Sequence, residues 1–398
     1  MLVCIAGKND IAVNVLEYVL EHFKKDDIRI VCILNKTETG VNSWQKSLKW
    51  YCEKYHIDIV KLEDVYNEDE MLFLSLEFDQ IVKPNLFKSK KLYNIHFSKL
   101  PQYKGMYTSI FPIYNGEIET GVTLHCIDSG IDTGDIISQE SILINDEDTA
   151  YDIYKKYIEK GTELVIKNIE SLLCKKEIKT FKQDHRNSTY YSKQSIDFSK
   201  VILNCKATAW QIKRQVKAFC FRPYQLIEYQ GIRIFDVEVL GEKSIYKPGT
   251  VIEENKSWIK MATIDYDILL YKDEFEDLLQ CIAEFNNSEA KRILSVKKYM
   301  FEKNKYGWTA LMVAVYNNNK EMFYYLLENG ADINEKNWNG TNMLMYAKDC
   351  YKIYSDYELF EYLYDLGLSV FEKDFNDKSL VDYCEIEGIK SIGKVKIV

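Results

Sequence analysis

The sequence predicts an α/β domain followed by a small β domain and an all-α repeat domain. In the first half, short apolar runs such as Leu2–Ala6 and Ile28–Leu34 alternate with helical patterns, which favours a parallel sheet covered by helices. Between residues 226 and 270, alternating segments predict short strands separated by turns. Further on, Gly307 and Gly340 begin similar segments at a spacing typical of stacked helical repeats. We place the domains at residues 1–185, 186–270 and 271–398, with the polar segment 184–191 as the first linker.

Composition and charge restrict the class of protein. The 398 residues carry a net charge of −9, which argues against a nucleic-acid partner because such proteins show basic patches. The ten cysteines occur singly, without a Cys-x-x-Cys pair, so we expect reduced thiols in a cytoplasmic protein and no metal site. The first residues lack the pattern of a signal peptide, and no apolar run has the length of a membrane span. We therefore expect no membrane association.

Candidate catalytic residues cluster between Asn94 and Asp135. Asn94 and His96 lie two residues apart in an alternating segment, so a strand would place both side chains on one face. Turn residues follow soon after, which places the pair near the carboxyl end of the strand, where open α/β sheets bind ligands. The glycine-containing loop 129–135 carries Asp132 and can bring a carboxylate to the imidazole.

These three side chains suit acyl transfer to an amine. His96 can take a proton from the attacking nitrogen, and Asp132 can orient the imidazole and favour its charged form. The amide N–H of Asn94 can donate to the oxyanion that develops on the acyl oxygen. An amine attacks directly, so a serine or cysteine nucleophile is not required. Taken alone, an Asn-x-His pair on a strand is more often structural.

The neighbouring motifs decide between these alternatives. Ser98-Lys99-Leu100-Pro101-Gln102-Tyr103-Lys104-Gly105 and the later Asp132-Thr133-Gly134-Asp135 together resemble the formyltransferases that use 10-formyltetrahydrofolate. The resemblance implies a Rossmann-like core with a small β-barrel-like domain, and it implies that Asn94, His96 and Asp132 are the catalytic residues. It also implies 10-formyltetrahydrofolate as co-substrate and no metal. The folate-binding residues that it implies are Ile81, Val82, Lys83 and Asp135.

Substrate-binding residues are predicted at two further places. Lys8 and Asn9 follow the first strand, with Asp10 as a candidate N-cap, and a helix start of this kind can bind an anion such as a diphosphate. The alternative is an ordinary turn between a strand and a helix. The resemblance implies that this turn and Tyr107 lie beside the amine substrate. After a helix at 210–219, Arg222 can pair with a phosphate, while Phe221 and Tyr224 can stack on a base or simply pack the domain seam.

The C-terminal third resembles ankyrin repeats, with Leu326–Asn334 lying between the two glycine-containing segments. From 271 to 398 the chain has 16 Lys and Arg against 22 Asp and Glu, a net charge of −6, so we expect no binding of nucleic acid. Such repeats mostly bind proteins or self-associate. Tyr306, Trp308 and Trp338 lie near predicted loops. Their rings either pack the repeats or form an auxiliary site in which one ring stacks on a nucleotide base.

The sequence therefore predicts an N-formyltransferase. By resemblance to the bacterial enzymes that make formamido sugars for surface polysaccharides (O-antigen of lipopolysaccharide), we expect its acceptor to be a dTDP-linked 3- or 4-amino-dideoxy hexose. Nothing in the sequence decides which amine is formylated. The alternatives are a methionyl-tRNA formyltransferase, or an ankyrin scaffold that carries an inactive transferase core. Apolar helices of the core permit a homodimer.

Overall fold

A computed structural model of the protein describes residues 1–23, 28–174, 178–296 and 299–397. These residues form two compact units, one of residues 1–41 and 46–272, the other of residues 42–45 and the chain from Asp273 onward. Within the described ranges, no helix combines the length and the apolar character needed to cross a membrane.

Seven strands of the first unit form a mixed sheet. The first eight strands of this unit, in chain order, are β1 (Leu2–Gly7), β2 (Arg29–Leu34), β3 (Asp58–Ile59), β4 (Met71–Leu76), β5 (Lys91–His96), β6 (Lys104–Gly105), β7 (Glu119–Cys126) and β8 (Ile136–Leu143). All except β6 belong to the sheet, in the order β3-β2-β1-β4-β5-β7-β8. The first five strands in this order pair in parallel, as predicted, but β7 is antiparallel to both β5 and β8. The expectation of a parallel sheet was wrong at this edge. The loop between β7 and β8 is too short for a crossover helix, so β8 returns antiparallel to β7.

Three helices pack against strands of this sheet: α1 (Asn9–His22), α2 (Leu48–Tyr55) and α4 (Ala150–Leu173). The short α3 (Phe111–Asn115) lies in the chain between β6 and β7. The longest, α4, begins at a capping box in which Thr149 accepts from the Asp152 amide and the Asp152 carboxylate accepts from the Thr149 amide. Its buried face includes Ile153 and Tyr157. The N-cap of α1 is Lys8, so the expectation for Asp10 was wrong. The Asp10 carboxylate instead accepts from the backbone N–H of Lys46 at 2.7 Å.

A second, antiparallel sheet completes the first unit. The chain first forms the short strand β9 (Tyr190–Tyr191), which lies outside this sheet, and the helix α5 (Ala209–Phe219). The strands of the sheet are β10 (Ile227–Tyr229), β11 (Ile232–Lys243), β12 (Val251–Glu254), β13 (Trp258–Met261) and β14 (Tyr266–Lys272). The sheet order is β10-β11-β14-β13-β12. Helix α5 buries Ile212 and Val216 in the core of this sheet. At its end, the Nζ of Lys217 lies 2.8 Å from a Glu147 oxygen and 2.9 Å from an Asp236 oxygen, which ties the helix to the loop before α4.

The polar segment predicted as a linker is also part of the structure around the site. Strand β9 pairs in parallel with β6, so Tyr190 and Tyr191 lie opposite Lys104 and Gly105. The Tyr191 ring stacks on Phe111 with 3.6 Å between ring centroids. The linker thus fixes the loop that follows β5.

The second unit contains helices arranged as repeats. They are α6 (Phe275–Ala283), α7 (Asn287–Val296), α8 (Ala310–Tyr316), α9 (Lys320–Glu328), α10 (Met343–Tyr354), α11 (Glu358–Asp365) and α12 (Leu380–Glu387), followed by strands β15 (Ser391–Ile392) and β16 (Val395–Lys396). Helices α8, α10 and α12 begin in the same way, since the side chains of Thr309, Asn342 and Ser379 each accept from a backbone amide of the first turn. Recurrent N-caps of this kind explain why the repeats are visible in the sequence.

Candidate active site

His96 and Asp132 meet at the carboxyl end of β5. His96 Nδ1 lies 3.5 Å from Asp132 Oδ2, and His96 Nε2 lies 2.8 Å from the carbonyl oxygen of Tyr103. Because a carbonyl only accepts, Nε2 carries a proton and donates it to Tyr103. Nδ1 is then the basic nitrogen, and a proton that arrives there is stabilised by the carboxylate.

Asn94 is held by a second histidine, His125, directly across the β5–β7 ladder. The Nδ1 of His125 donates to the carbonyl of Cys126 at 2.8 Å, so its Nε2 accepts from the Asn94 side-chain amide at 3.0 Å. The same Nε2 lies 3.7 Å from Asp132 Oδ1. Asp132 therefore lies between two imidazoles. The contact between His125 and Asn94 was not predicted from the sequence, because the antiparallel pairing of β7 with β5 was not predicted.

The charge of Asp132 is stabilised by its surroundings. Burial alone would raise the pKa of the Asp132 carboxyl, but attraction to the His96 ring in its charged form and the hydrogen bond from the Gly105 amide outweigh burial and hold this pKa well below its ordinary value. The Gly105 amide donates to Asp132 Oδ2 at 2.9 Å. At neutral pH the site contains a carboxylate that is ionised and aimed at His96.

The loop that carries Asp132 includes a backbone conformation that residues other than glycine rarely adopt. Asp132 has a φ of 53°, in the left-handed region. The side-chain amide of Gln183 donates to the carbonyls of Asp132 at 2.9 Å and Gly134 at 2.8 Å. A Cβ added at Gly134 would overlap the carbonyl oxygen of Cys126. The close approach of the Cys126 carbonyl oxygen therefore requires glycine at position 134.

Replacing Gly134 by alanine is expected to lower the free energy of unfolding by about 1–3 kcal/mol and to reduce kcat several-fold, because the added methyl group must push the Asp132 loop from β7. Urea unfolding and initial rates measure both effects. The control is Gly241→Ala, where an added Cβ meets no described atom within 4 Å. Equal effects of the two substitutions would contradict the steric explanation.

The residues predicted to bind folate surround the end of β4 and the Asp132 loop. Ile81 is 71% exposed, whereas Val82 is buried. Among the described residues, the backbone N–H groups of Ile81 and Val82 donate to no other backbone carbonyl. The carbonyl oxygen of Asp135 accepts from the Cys126 amide at 2.9 Å, and Asp135 is partly exposed. The assignment of these residues to the folate stays a prediction.

Several predicted substrate residues converge on two residues that sequence reasoning missed, Glu77 and Tyr154. The Asn9 side-chain amide donates to Glu77 at 3.1 Å and to the Tyr154 hydroxyl at 3.2 Å. The Phe221 ring lies 5.6 Å from that of Tyr154 and stacks on Tyr224 at 5.3 Å. Tyr224 is 68% exposed.

The remaining candidates in the first unit lie in different surroundings. The Arg222 guanidinium lies 4.6 Å from the centroid of the Phe235 ring. The Tyr107 hydroxyl donates to the carbonyl of Lys193 at 2.9 Å, and its ring meets that of Phe198 edge-on at 5.6 Å. Tyr107 thus packs against the segment after β9, whereas Lys8 lies next to Asn9 at the start of α1.

The three aromatic residues of the predicted auxiliary site belong to the second unit. Tyr306 is 59% exposed. Trp308 packs between Tyr316 and Tyr346 with centroid distances of 5.6 and 5.5 Å, which is the packing alternative for this ring. The Trp338 indole N–H donates to the Asn304 carbonyl at 3.2 Å. The auxiliary site stays a prediction.

Metal-ligating side chains show no cluster in the parts of the chain that the structure describes, since no three His, Cys, Asp or Glu residues there gather around one point.

Family models match both halves of the chain. A formyl transferase model matches residues 69–169, and a model of the formyl transferase C-terminal domain matches residues 196–288. A model of three ankyrin repeats matches residues 262–337 and 278–374. These matches confirm the predicted fold class.

Relatives and solved structures agree with these models. The methionyl-tRNA formyltransferase of Clostridium botulinum is 31% identical over 221 residues, which cover 54% of this chain and 69% of the relative. That of Coxiella burnetii is 26% identical over 272 residues, 65% of this chain and 86% of the relative. The N-formyltransferase from Helicobacter canadensis, solved with folinic acid and dTDP-3-aminofucose, is 45% identical, with a TM-score of 0.63 and coverage of 69% of this chain and 100% of that chain. WlaRD, a sugar 3N-formyl transferase solved in the presence of dTDP and 5-N-formyl-THF, is 43% identical, with a TM-score of 0.64 and coverage of 68% and 97%.

The fold and the comparisons define an enzyme that transfers a one-carbon group. The chain belongs to the formyl transferase family. In this chain the family's two domains are followed by ankyrin repeats.

Proposed function

We propose that this enzyme moves the formyl group of 10-formyltetrahydrofolate to the amine of a dTDP-linked amino-dideoxy hexose. The observation that carries the proposal is the position of Asp132 between His96 and His125, with Asn94 beside them. The amine nitrogen forms a bond to the formyl carbon, the bond from that carbon to N10 of the folate breaks, and one amine proton ends on N10.

Each catalytic side chain has one task in this reaction. His96 Nδ1 takes the amine proton and returns it to the leaving nitrogen. Asp132 stabilises the resulting imidazolium and keeps the ring oriented. Asn94 gives one side-chain N–H to His125, and its second N–H is the donor for the developing oxyanion.

The formyl donor and the acceptor occupy opposite sides of His96 in this proposal. Backbone groups of Ile81–Lys83 and the Asp135 carboxylate bind the pterin. Lys8, Asn9 and Arg222 bind the diphosphate and sugar, Phe221 and Tyr224 bind the thymine base, and Tyr107 lies beside the amine of the acceptor. These assignments are supported by the surroundings of residues 81–83 and by the exposed Tyr224 ring.

The comparisons and the charge of the chain favour a sugar acceptor. The two solved relatives, one with dTDP and one with dTDP-3-aminofucose, are 43% and 45% identical, against 26% and 31% for the two methionyl-tRNA formyltransferases. A net charge of −9 also disfavours binding of tRNA. Because both solved relatives concern a 3-amino position, we extend the proposal to the 3-amine, and to a product used as a formamido sugar of a surface polysaccharide.

Three further expectations remain proposals. We propose that the chain has the domains 1–185, 186–270 and 271–398, and that the enzyme acts as a homodimer in the cytoplasm. The ankyrin domain would then bind a protein or, at Tyr306, Trp308 and Trp338, a second nucleotide.

An acceptor screen tests the proposed function. Purified enzyme and 10-formyltetrahydrofolate are incubated with dTDP-linked 3-amino and 4-amino hexoses, and product mass is measured. We expect one formyl group to be added to a 3-amino sugar, at a rate at least tenfold above that on the 4-amino sugars, because only one ring position can reach His96 when the diphosphate is fixed.

Charged initiator tRNA serves as the competing acceptor, and a gel shift measures its binding. Formylation of the tRNA with all sugars inert would replace the proposed acceptor by the tRNA alternative. If sugars and tRNA both remain unmodified while folate binds, the chain would be a scaffold with an inactive core.

A further inference from the structure

Glu77 lies at the edge of the sheet where the proposed acceptor enters. Strand β4 pairs with β1 as far as Leu76 opposite Gly7, and with β5 as far as Leu76 opposite Ile95. Glu77 is the next residue, so its backbone follows directly on the edge of the sheet where β1 ends before Lys8 and β5 ends at His96. The edge of the sheet that carries the predicted base therefore carries a second carboxylate.

The Glu77 carboxylate is enclosed by neutral hydrogen-bond donors. The Tyr154 hydroxyl lies 2.8 Å from both carboxylate oxygens, and the Asn9 amide donates to one of them at 3.1 Å. Among the described residues, no lysine, arginine or histidine nitrogen lies within the 4.0 Å of an ion pair with Glu77. Enclosed carboxylates are normally paired with a cation.

Electrostatics and backbone geometry both indicate that this arrangement costs free energy in the ligand-free chain. Burial raises the pKa of the Glu77 carboxyl, although the Tyr154 hydroxyl, the Lys8 charge and the Asn9 amide oppose the rise. Glu77 has a φ of 57° and Asn9 a φ of 63°, both in the left-handed region. Strained residues of this kind persist mainly at functional sites.

The carboxylate also has acceptor positions left for a ligand. An ionised carboxylate offers roughly four such positions. Tyr154 has a single hydroxyl proton to share between the two oxygens, and Asn9 supplies one more proton. A cationic donor that reached the Glu77 carboxylate would find both charge and acceptor positions there.

We propose that Glu77 determines specificity for the acceptor amine by binding it as the ammonium ion and placing it beside His96. This inference rests on the proposed function, because it requires an amino sugar as acceptor. Tyr154 and Asn9 are positioning residues that hold the carboxylate. The ammonium ion releases one proton to solvent before the free amine attacks, so Glu77 selects the acceptor and His96 carries out the proton transfer.

Calorimetric titration of three ligands tests the proposal. They are dTDP, a dTDP-hexose with a hydroxyl group in place of the amine, and the dTDP-amino hexose. In Glu77→Gln, which keeps the side-chain shape, we expect the Kd of the amino hexose to rise roughly 10- to 100-fold, because a charge-assisted contact is lost. The Kd values of dTDP and of the hydroxyl analogue should change by less than about threefold. The exposed Glu68→Gln is the matched control.

The substitution Tyr154→Phe provides a second test, because it removes the hydroxyl group that holds Glu77 but leaves the Glu77 carboxylate in place. We expect the same selective loss for the amino hexose, with a smaller magnitude. Equal weakening of the amino hexose and the hydroxyl analogue in Glu77→Gln would overturn the inference, and so would unchanged binding of both. If the wild-type enzyme formylates no dTDP-amino hexose and binds none, the proposed function itself fails, which is a different result from loss of selectivity alone.

Discussion

Replacing His96 by glutamine is expected to lower kcat by roughly 100- to 10,000-fold, the usual contribution of a positioned general base. Glutamine can still donate to the Tyr103 carbonyl, which His96 contacts at 2.8 Å, but it cannot accept a proton at the position of Nδ1. Binding of the folate should therefore remain. Single-turnover rates and folate titration separate these two effects.

The control is His22→Gln, since His22 is exposed and its Nδ1 lies 3.0 Å from the carbonyl oxygen of Tyr18, within the same helix. The control should keep the rate of the wild type. A His96→Gln enzyme with the rate of the wild type would exclude the proposed mechanism, whereas simultaneous loss of folate binding would point to damage of the fold.

Replacing Asp132 by asparagine is expected to lower kcat by roughly 100- to 10,000-fold, because the imidazolium of His96 loses its counter-charge. The amide group keeps the shape of the side chain and can still accept from Gly105. Initial rates at saturating donor and acceptor measure the effect. Asp146→Asn, at an exposed position in another loop, is the control.

The wild-type protein and Asp132→Asn are also expected to differ in how their stability depends on pH. The pKa of Asp132 is held below its ordinary value in the folded chain, so its ionised form stabilises the fold above the unfolded-state pKa of about 4. This contribution is lost as the pH falls through the folded-state pKa. Wild type should therefore be more stable than Asp132→Asn from about pH 5 to 8, and the difference should shrink below about pH 4. A difference that grows on acidification would contradict the pKa direction.

The sequence was sufficient for the parts of the site that depend on local patterns. Asn94 and His96 share one face of a strand because their spacing matches the strand period, and β5 ends at His96 as expected. The loop with Gly130 and Gly134 brings Asp132 to His96. The repeats were predictable because each begins at a small polar cap, such as Thr309 and Asn342.

Features that depend on contacts between distant segments were not predictable. His125 joins Asn94 only because β7 runs antiparallel to β5, and a single sequence gives no sign of strand direction at that edge. Glu77 and Tyr154 meet although 77 positions separate them. Tyr107 was placed beside the acceptor from its motif, yet its hydroxyl group bonds to Lys193, in a segment that was expected to connect two domains.

The pairing of β6 with β9 has a consequence for exchange of parts between relatives. Gly105 donates its amide to Asp132, and the strand that contains Gly105 is held by Tyr190 and Tyr191. A chimaeric gene joined at residue 185 would take these two tyrosines from the other parent. Residues 1–185 therefore do not contain everything that positions Asp132. In a functional chimaera, the junction between the two parents must lie beyond β9.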